Sequence, residues 1–327
     1  MEGEMEFLPE VLRINAENET ERICASVRRD LAHRLKRRGV VVGLSGGIDS
    51  SVTAALTARA LGKERVLGLL MPERHSAEET LRLSGDVAEC LGIGTEHEDI
   101  TGVLEAIGFY RRYDSAVQRV IPAYGAGWRS KIVASSGEGY TLFSLVARSP
   151  DESEVRVRLP LGPYLEIVAA SNFKQRVRKT LEYYHADRLH YAVAGTPNRL
   201  EYDQGFFVKQ GDGSADLKPI AHLYKSQVYQ LAEYLGIPEE IRRRRPTTDT
   251  YSLEQGQDEF YFSVGYEKMD LCLYGRNNGI SPEAVAAAAG MTPDHVRRVY
   301  DDIATKRATT RYLHLPTLLV EEVTELA

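Results

Sequence analysis

Cysteine is scarce in this chain. The three residues Cys24, Cys90 and Cys272 lie far apart, and no two form a CxxC pair. That excludes a disulfide framework and a structural zinc site. Excess positive charge is also lacking: the formal net charge is -6, which disfavours bulk binding to nucleic acid. No run approaches the ~18 apolar residues that a membrane-spanning helix needs. The start, MEGEMEFLPEVL, lacks the basic-then-apolar pattern of a signal peptide, so the expected compartment is the cytoplasm. What remains, with hydrophobic residues at 43% and charged residues at 27%, is a globular chain with a substantial core. Its 327 residues are read as one large α/β domain spanning 1–327.

Hydrophobic patterning gives the organisation. The first forty residues carry apolar side chains at helical spacing, with Asn18 or Thr20 as the expected cap and Gly39 as the expected end. Val40–Leu44 is a β-branched run and reads as a buried strand. SGGIDSS follows it, then the alanine- and leucine-rich VTAALTARALG, a helix stopped by Gly62. Further strands are expected at 65–71, 95–100 and 190–194. A helix is expected after the capping-box signature Ser76-Ala-Glu-Glu79. Short apolar strands alternating with amphipathic helices predict a doubly wound parallel sheet. Between Gly102 and Val168 that rhythm breaks, and turn signals punctuate alternating polar and apolar residues. A β-rich insertion is expected there, since the stretch is too long for a plain loop. Helices are expected again at 171–184 and 224–235, and after Ser281-Pro282 and Thr292-Pro293.

The chemistry centres on Ser45-Gly46-Gly47-Ile48-Asp49-Ser50-Ser51. Glycines between a strand and a helix let backbone approach a phosphate. The helix then offers free N–H groups and the positive end of its dipole. Ser45, Ser50 and Ser51 are candidate hydroxyl donors, and Asp49 is a candidate magnesium ligand. A Walker A loop is excluded because Gly62-Lys63 is followed by Glu64, and no GxGxxG follows the strand. A lysine-free cradle suits holding pyrophosphate as a leaving group rather than transferring the γ-phosphoryl group.

At this loop the chain resembles the N-type ATP pyrophosphatases, whose hallmark is SGGxDS after the first strand. The second half carries the resemblance to the NAD synthetases of that group. Its segments are Ser171-Asn172-Phe173-Lys174-Gln175-Arg176, Gly195-Thr196 with Glu201, Phe206-Phe207-Val208-Lys209-Gln210-Gly211-Asp212-Gly213 with Asp216, Lys225, and Pro246-Thr247-Thr248-Asp249. Singly, each lysine or acid here is an ordinary surface residue; the ordered series is what is similar to the family.

The resemblance implies a Rossmann-like ATP pyrophosphatase fold and amidation of deamido-NAD by ammonia through an adenylated intermediate. Residues Gly43, Leu44, Ser45, Gly46, Gly47, Ile48, Asp49 and Ser50 would cradle the ATP phosphates. Asp49 and Glu201 would bind Mg2+, and Thr196, Lys225 and Thr247 would contact ATP. Arg176, Lys209 and Asp216 would contact deamido-NAD, with Lys225 and Asp216 in catalytic roles, Asp216 on the ammonium. It also implies a homodimer. No cysteine sits in a nucleophile context, so free ammonia, or ammonia from a separate glutaminase, is expected.

The chain departs from the family pattern in three places: the 102–168 insertion, Pro197-Asn198 in place of Asp-His, and a tail lacking the usual His-Lys pair. Arg311 and His314 are the candidate substitutes in that tail. The alternative activities are amidation of a different carboxylate, tRNA thiolation and ATP sensing without turnover. The cysteine pattern and acidic balance speak against thiolation.

Overall fold

The computed structural model describes residues 7–137, 140–244, 246–248, 250–256, 261–321 and 323. Asp249 and Arg245, and residues 138–139 of the expected turn at Gly137-Glu138-Gly139, lie outside the described residues. The first strands are β1 (Val40–Leu44), β2 (Val66–Leu70) and β3 (Gly94–His97), joined across the gap in sequence by β7 (Ala192–Ala194). They form a parallel sheet in the order β3-β2-β1-β7, the doubly wound α/β architecture that the alternation of elements predicts.

Alternate side chains of a strand face opposite sides, and β1 distributes them between two cores. Val40, Val42 and Leu44 pack in one apolar cluster with α1 (Ala16–Arg29), α2 (Ile48–Leu61) and α8 (Lys225–Tyr234). Val41 joins Leu69 and Val193 in the other cluster, with α5 (Phe109–Gln118) and α6 (Leu161–Leu189). Burial on both faces is why these strands read as continuous apolar runs. A third cluster gathers α10 (Tyr266–Asn277), α11 (Pro282–Ala289) and α12 (Pro293–His314). Ser281 and Thr292 cap the last two through Ala284 N–H and His295 N–H, as their Ser-Pro and Thr-Pro starts predict.

Several boundaries differ from expectation. The cap of α1 is Asn15, which accepts from Asn18 N–H. The chain runs on through a π turn (Asp30–Leu35) that ends at Lys36, with φ +52°, ahead of Gly39. The Ser76 capping box does not form: α3 (Glu78–Leu91) is N-capped by Ala77, and Ser76 Oγ accepts from Glu73 N–H instead. The 102–168 stretch is β only in part. It opens with helices α4 (Thr101–Ala106) and α5, and α6 already begins at Leu161. Between them lies a three-stranded antiparallel sheet of β4 (Arg129–Gly137), β5 (Tyr140–Arg148) and β6 (Glu154–Arg158). In α5, Phe109, Tyr113, Ala116 and Val117 are buried at helical spacing on the second core.

Candidate active site

From β1 the chain moves outward through β2 to β3, then returns to place β7 on the other side of β1. The strand order therefore reverses between β1 and β7, and crevices at the carboxyl ends of strands at such a point bind ligands. A cleft of about 2040 Å³ opens there, lined from one side by Gly43–Ser45 and Gly47–Ser50 and from the other by Ala194–Pro197 and Glu201.

The β1–α2 loop separates the roles of its glycines. Gly46 has φ +64°, and a Cβ there would stand 2.8 Å from Thr80 O and 3.0 Å from Leu83 Cβ. Its absent side chain lets α3 pack against the loop, and Gly46 is not among the cleft-lining residues. Gly47 does line the cleft, and a Cβ on it would meet only Ser45 Oγ, at 3.3 Å. As N-cap of α2 it has no side chain to bond the first-turn amides, which leaves them for an anion. Of the three serines, Ser45 and Ser50 share a hydrogen bond of 3.1 Å at the cleft. The hydroxyls of Ser50 and Ser51 both donate to Gly47 O, at 3.0 and 2.8 Å, but Ser51, unlike Ser45 and Ser50, is not among the cleft-lining residues.

Asp49, on the first turn of α2, meets residues from the far half of the chain. Lys225 Nζ donates to its Oδ2. Asn198 Nδ2 donates to its Oδ1 at 3.1 Å. Asn198 also caps α7 (Arg199–Gln204), and its backbone N–H donates to Glu201 Oε2 at 3.1 Å. One buried amide thus spaces the two carboxylates expected to hold magnesium. Burial works against the charge on Lys225, but Asp49 and Glu201 outweigh it and hold the ammonium above its ordinary pKa. The donor chemistry fits magnesium: Asp49 and Glu201 are hard oxygen donors, and both line the cleft. Among the described residues no group of three or more His, Cys, Asp or Glu could hold a metal. Two carboxylates would leave the rest of a magnesium ion's shell to phosphate and water.

The other predicted residues divide. Thr196, Thr247, Arg176 and Lys209 line the cleft. Arg176 Nε donates to Lys209 O at 3.3 Å, and Lys209 Nζ to Tyr312 O at 2.9 Å. Asp216 is not among the lining residues. Its Oδ2 accepts from Val193 N–H at 2.7 Å and its Oδ1 from Tyr183 OH at 3.4 Å, so the carboxylate is engaged at the edge of β7. From the tail, Tyr312 and Leu313 reach the cleft, whereas Arg311 and His314 are not among its lining residues. His314 packs edge-on to Tyr202 and Phe207 at 4.8 and 5.2 Å.

Three features escaped the sequence reading. Asn198 stood out only as a departure from the family pattern. Lys179 and Glu182 line the cleft as a pair 2.5 Å apart. Burial pushes the Glu182 carboxyl up against the pull of that lysine, and a Cβ on Gly43 would come within 3.0 Å of Glu182 Oε1. Lys174 bonds Glu73 at 2.7 Å, both side chains almost fully buried. Spacing i, i+3 on α6 was the available signal for Lys179 and Glu182; nothing local pointed to Glu73.

The family model described as NAD synthase matches residues 19–121 and 159–311, leaving out 122–158. The chain is 57% identical over 317 residues to the NH(3)-dependent NAD(+) synthetase of Rhizobium rhizogenes, covering 96% of each chain. Among solved structures it is similar in fold to NMN synthetase from Francisella tularensis, with a TM-score of 0.65 at 21% identity over 94% of this chain and 99% of that one. It is similar in the same way to the NH3-dependent NAD synthetase from Campylobacter jejuni, with a TM-score of 0.63 at 22% identity over 94% of this chain and 100% of that one.

Proposed function

The chain belongs to the NAD synthase family, and from that premise we propose that it amidates deamido-NAD with ammonia, consuming ATP and releasing AMP and pyrophosphate. One observation carries the assignment onto this site: Asp49, Lys225, Asn198 and Glu201 converge at the β1–β7 reversal beside the uncapped start of α2.

A carboxylate is a poor electrophile, so activation precedes amidation. The nicotinate carboxylate attacks the α-phosphorus of ATP, and the bond to pyrophosphate breaks. The amides at the α2 start, with Ser45 and Ser50, receive the negative charge of the phosphates, and Lys225 neutralises charge that builds as pyrophosphate leaves. Asp49 and Glu201 would hold the magnesium ion, which when bound neutralises phosphate charge. Ammonia then attacks the acyl carbon of the adenylate, the C–O bond to AMP breaks, and the amide forms. Thr196 and Thr247 contact ATP, and Arg176 and Lys209 receive the anionic deamido-NAD. Asp216, engaged with Val193 N–H, acts as a positioning residue for the β7 end of the cleft.

Ammonia enters free or from a separate glutaminase. Burial pushes the thiols of Cys24 and Cys272 up, the latter to about 12, so neither is a thiolate nucleophile at neutral pH. We further propose a cytoplasmic homodimer. Leu161 and Leu165, one turn apart on α6, are 71% and 54% exposed, which supports a face for a second copy. No helix among the described residues is long and apolar enough to cross a membrane.

The deciding experiment supplies ATP, magnesium, deamido-NAD and ammonium, and follows NAD and AMP together. One NAD per AMP is expected. AMP without NAD, or no product at any ammonium concentration, overturns the proposal.

A further inference from the structure

The span 122–158, which the family model leaves out, contributes Arg129, Ala134 and Phe143 to the cleft wall. β4 is an edge strand with β5 on one side only, and an open edge presents unpaired N–H and C=O groups. Here the segment 250–256 meets that edge. Ser130 turns both backbone groups toward it: the N–H donates to Ser252 Oγ at 2.9 Å, and the carbonyl accepts from Leu253 N–H at 3.2 Å. Two residues on, the Ile132 carbonyl accepts from Gln255 Nε2. Alternate residues of a strand present these groups on the same side, so Ser130 and Ile132 act as one template.

The hold passes on to the cleft through backbone pairing. Thr247 pairs with Gly256 and Thr248 with Gln255, as β8 (Thr247–Thr248) and β9 (Gln255–Gly256). Thr250, which lies between them in sequence, is held by Lys174 Nζ, which donates to its carbonyl at 3.1 Å. Tyr251 is buried among the same cluster as Ile132 and Leu145 of the inserted sheet.

We infer that the inserted sheet β4–β6 is a positioning element for ATP, acting through the Gln255–Ile132 contact to set Thr247 at the cleft before the nucleotide arrives. The inference rests on the proposed contact of Thr247 with ATP. Holding a binding segment in its bound place lowers the ordering cost of binding. The effect therefore falls on ATP affinity and not on the chemical step.

The test is Gln255→Glu, which keeps the shape and removes the donor, with Arg156→Ala on β6 as control and Thr247→Val as reference. Gln255→Glu is expected to raise KM for ATP about tenfold. At saturating ATP, kcat should stay within about twofold, KM for deamido-NAD should hold, and amide exchange in 250–256 should accelerate. Arg156→Ala should change none of these. Unchanged KM for ATP and unchanged exchange in folded Gln255→Glu overturn the inference, as does a rise confined to deamido-NAD. If Gln255→Glu does not fold, Ser252→Ala removes the two hydrogen bonds of the Ser252 hydroxyl to Ser130 N–H and O in the same template, and the same readouts decide. A Thr247→Val variant with unaltered KM for ATP refutes the ATP contact itself; a raised value with Gln255→Glu unaltered refutes only the role of the sheet.

Discussion

Asp49 and Lys225 form one ion pair although 176 positions separate them. Each stands on the first turn of its helix, α2 or α8, and the two partners are unequally placed. The lysine side chain is 2% exposed and the aspartate 17%. The ammonium thus depends on its carboxylate partners, while the carboxylate keeps an open side toward the cleft.

That inequality predicts asymmetric variants. Asp49→Asn leaves a buried ammonium short of a partner and should cost more stability than Lys225→Met, by roughly 1–3 kcal/mol in urea unfolding. Both should lower kcat/KM by about 10²–10³-fold. The double variant should recover stability without recovering activity. Equal stability of the two single variants would contradict the burial argument.

Gly46 and Gly47 should fail differently. Gly46→Ala forces a Cβ against the Thr80 carbonyl at a positive φ and should destabilise the fold by about 2–4 kcal/mol. Gly47→Ala meets only a serine hydroxyl and should unfold within about 1 kcal/mol of the parent protein. Its loss appears as a KM for ATP raised at least about tenfold, because the Cβ stands where phosphate approaches. Thermal melts and ATP titrations separate the two, and a Gly47→Ala enzyme with normal KM removes Gly47 from the cradle.

Asp270 predicts a pH dependence. It is fully buried and accepts from Lys225 N–H at 3.1 Å and Ser226 N–H at 2.7 Å, anchoring the start of α8. Burial pushes its carboxyl up to about 6, against the pull of those amides and of Lys225. A carboxyl raised above its unfolded value binds its proton more tightly in the native state. Its contribution is therefore present below the ordinary aspartate range and is lost as pH rises through about 6. The loss is at most about 3 kcal/mol. Asp270→Asn should flatten unfolding free energy between pH 4 and 6.5; a parallel offset across that range would rule the titration out.

Much of the fold was legible because its signals are local. Val40–Leu44, the glycine loop and α2 announce themselves by β-branching, then glycine, then an alanine-rich run, all within about twenty residues. The helix α5 carried a legible period in Phe109, Tyr113 and Val117, yet it adjoined the irregular 120s and was read with them as β-rich. Ser76 looks like a cap in sequence, but in the fold its oxygen accepts from Glu73 N–H and α3 starts one residue later, after Ala77. Asp216 is a substrate ligand by the family resemblance and a turn-former by its place beside glycines; in the fold its carboxylate accepts from Val193 N–H, a partner that neither reading contains.

The sequence by itself determined the glycine loop between strand and helix, the parallel sheet and the order of the candidate residues, since strand and helix periods and glycine placement act over a few residues. Only the tertiary structure decided which charges meet. Asp49 finds Lys225 and Asn198 because β7 returns beside β1, and Gln255 finds Ile132 because the inserted sheet turns an edge toward the cleft. Contacts at such separations follow from strand order and layer packing, for which no local pattern codes.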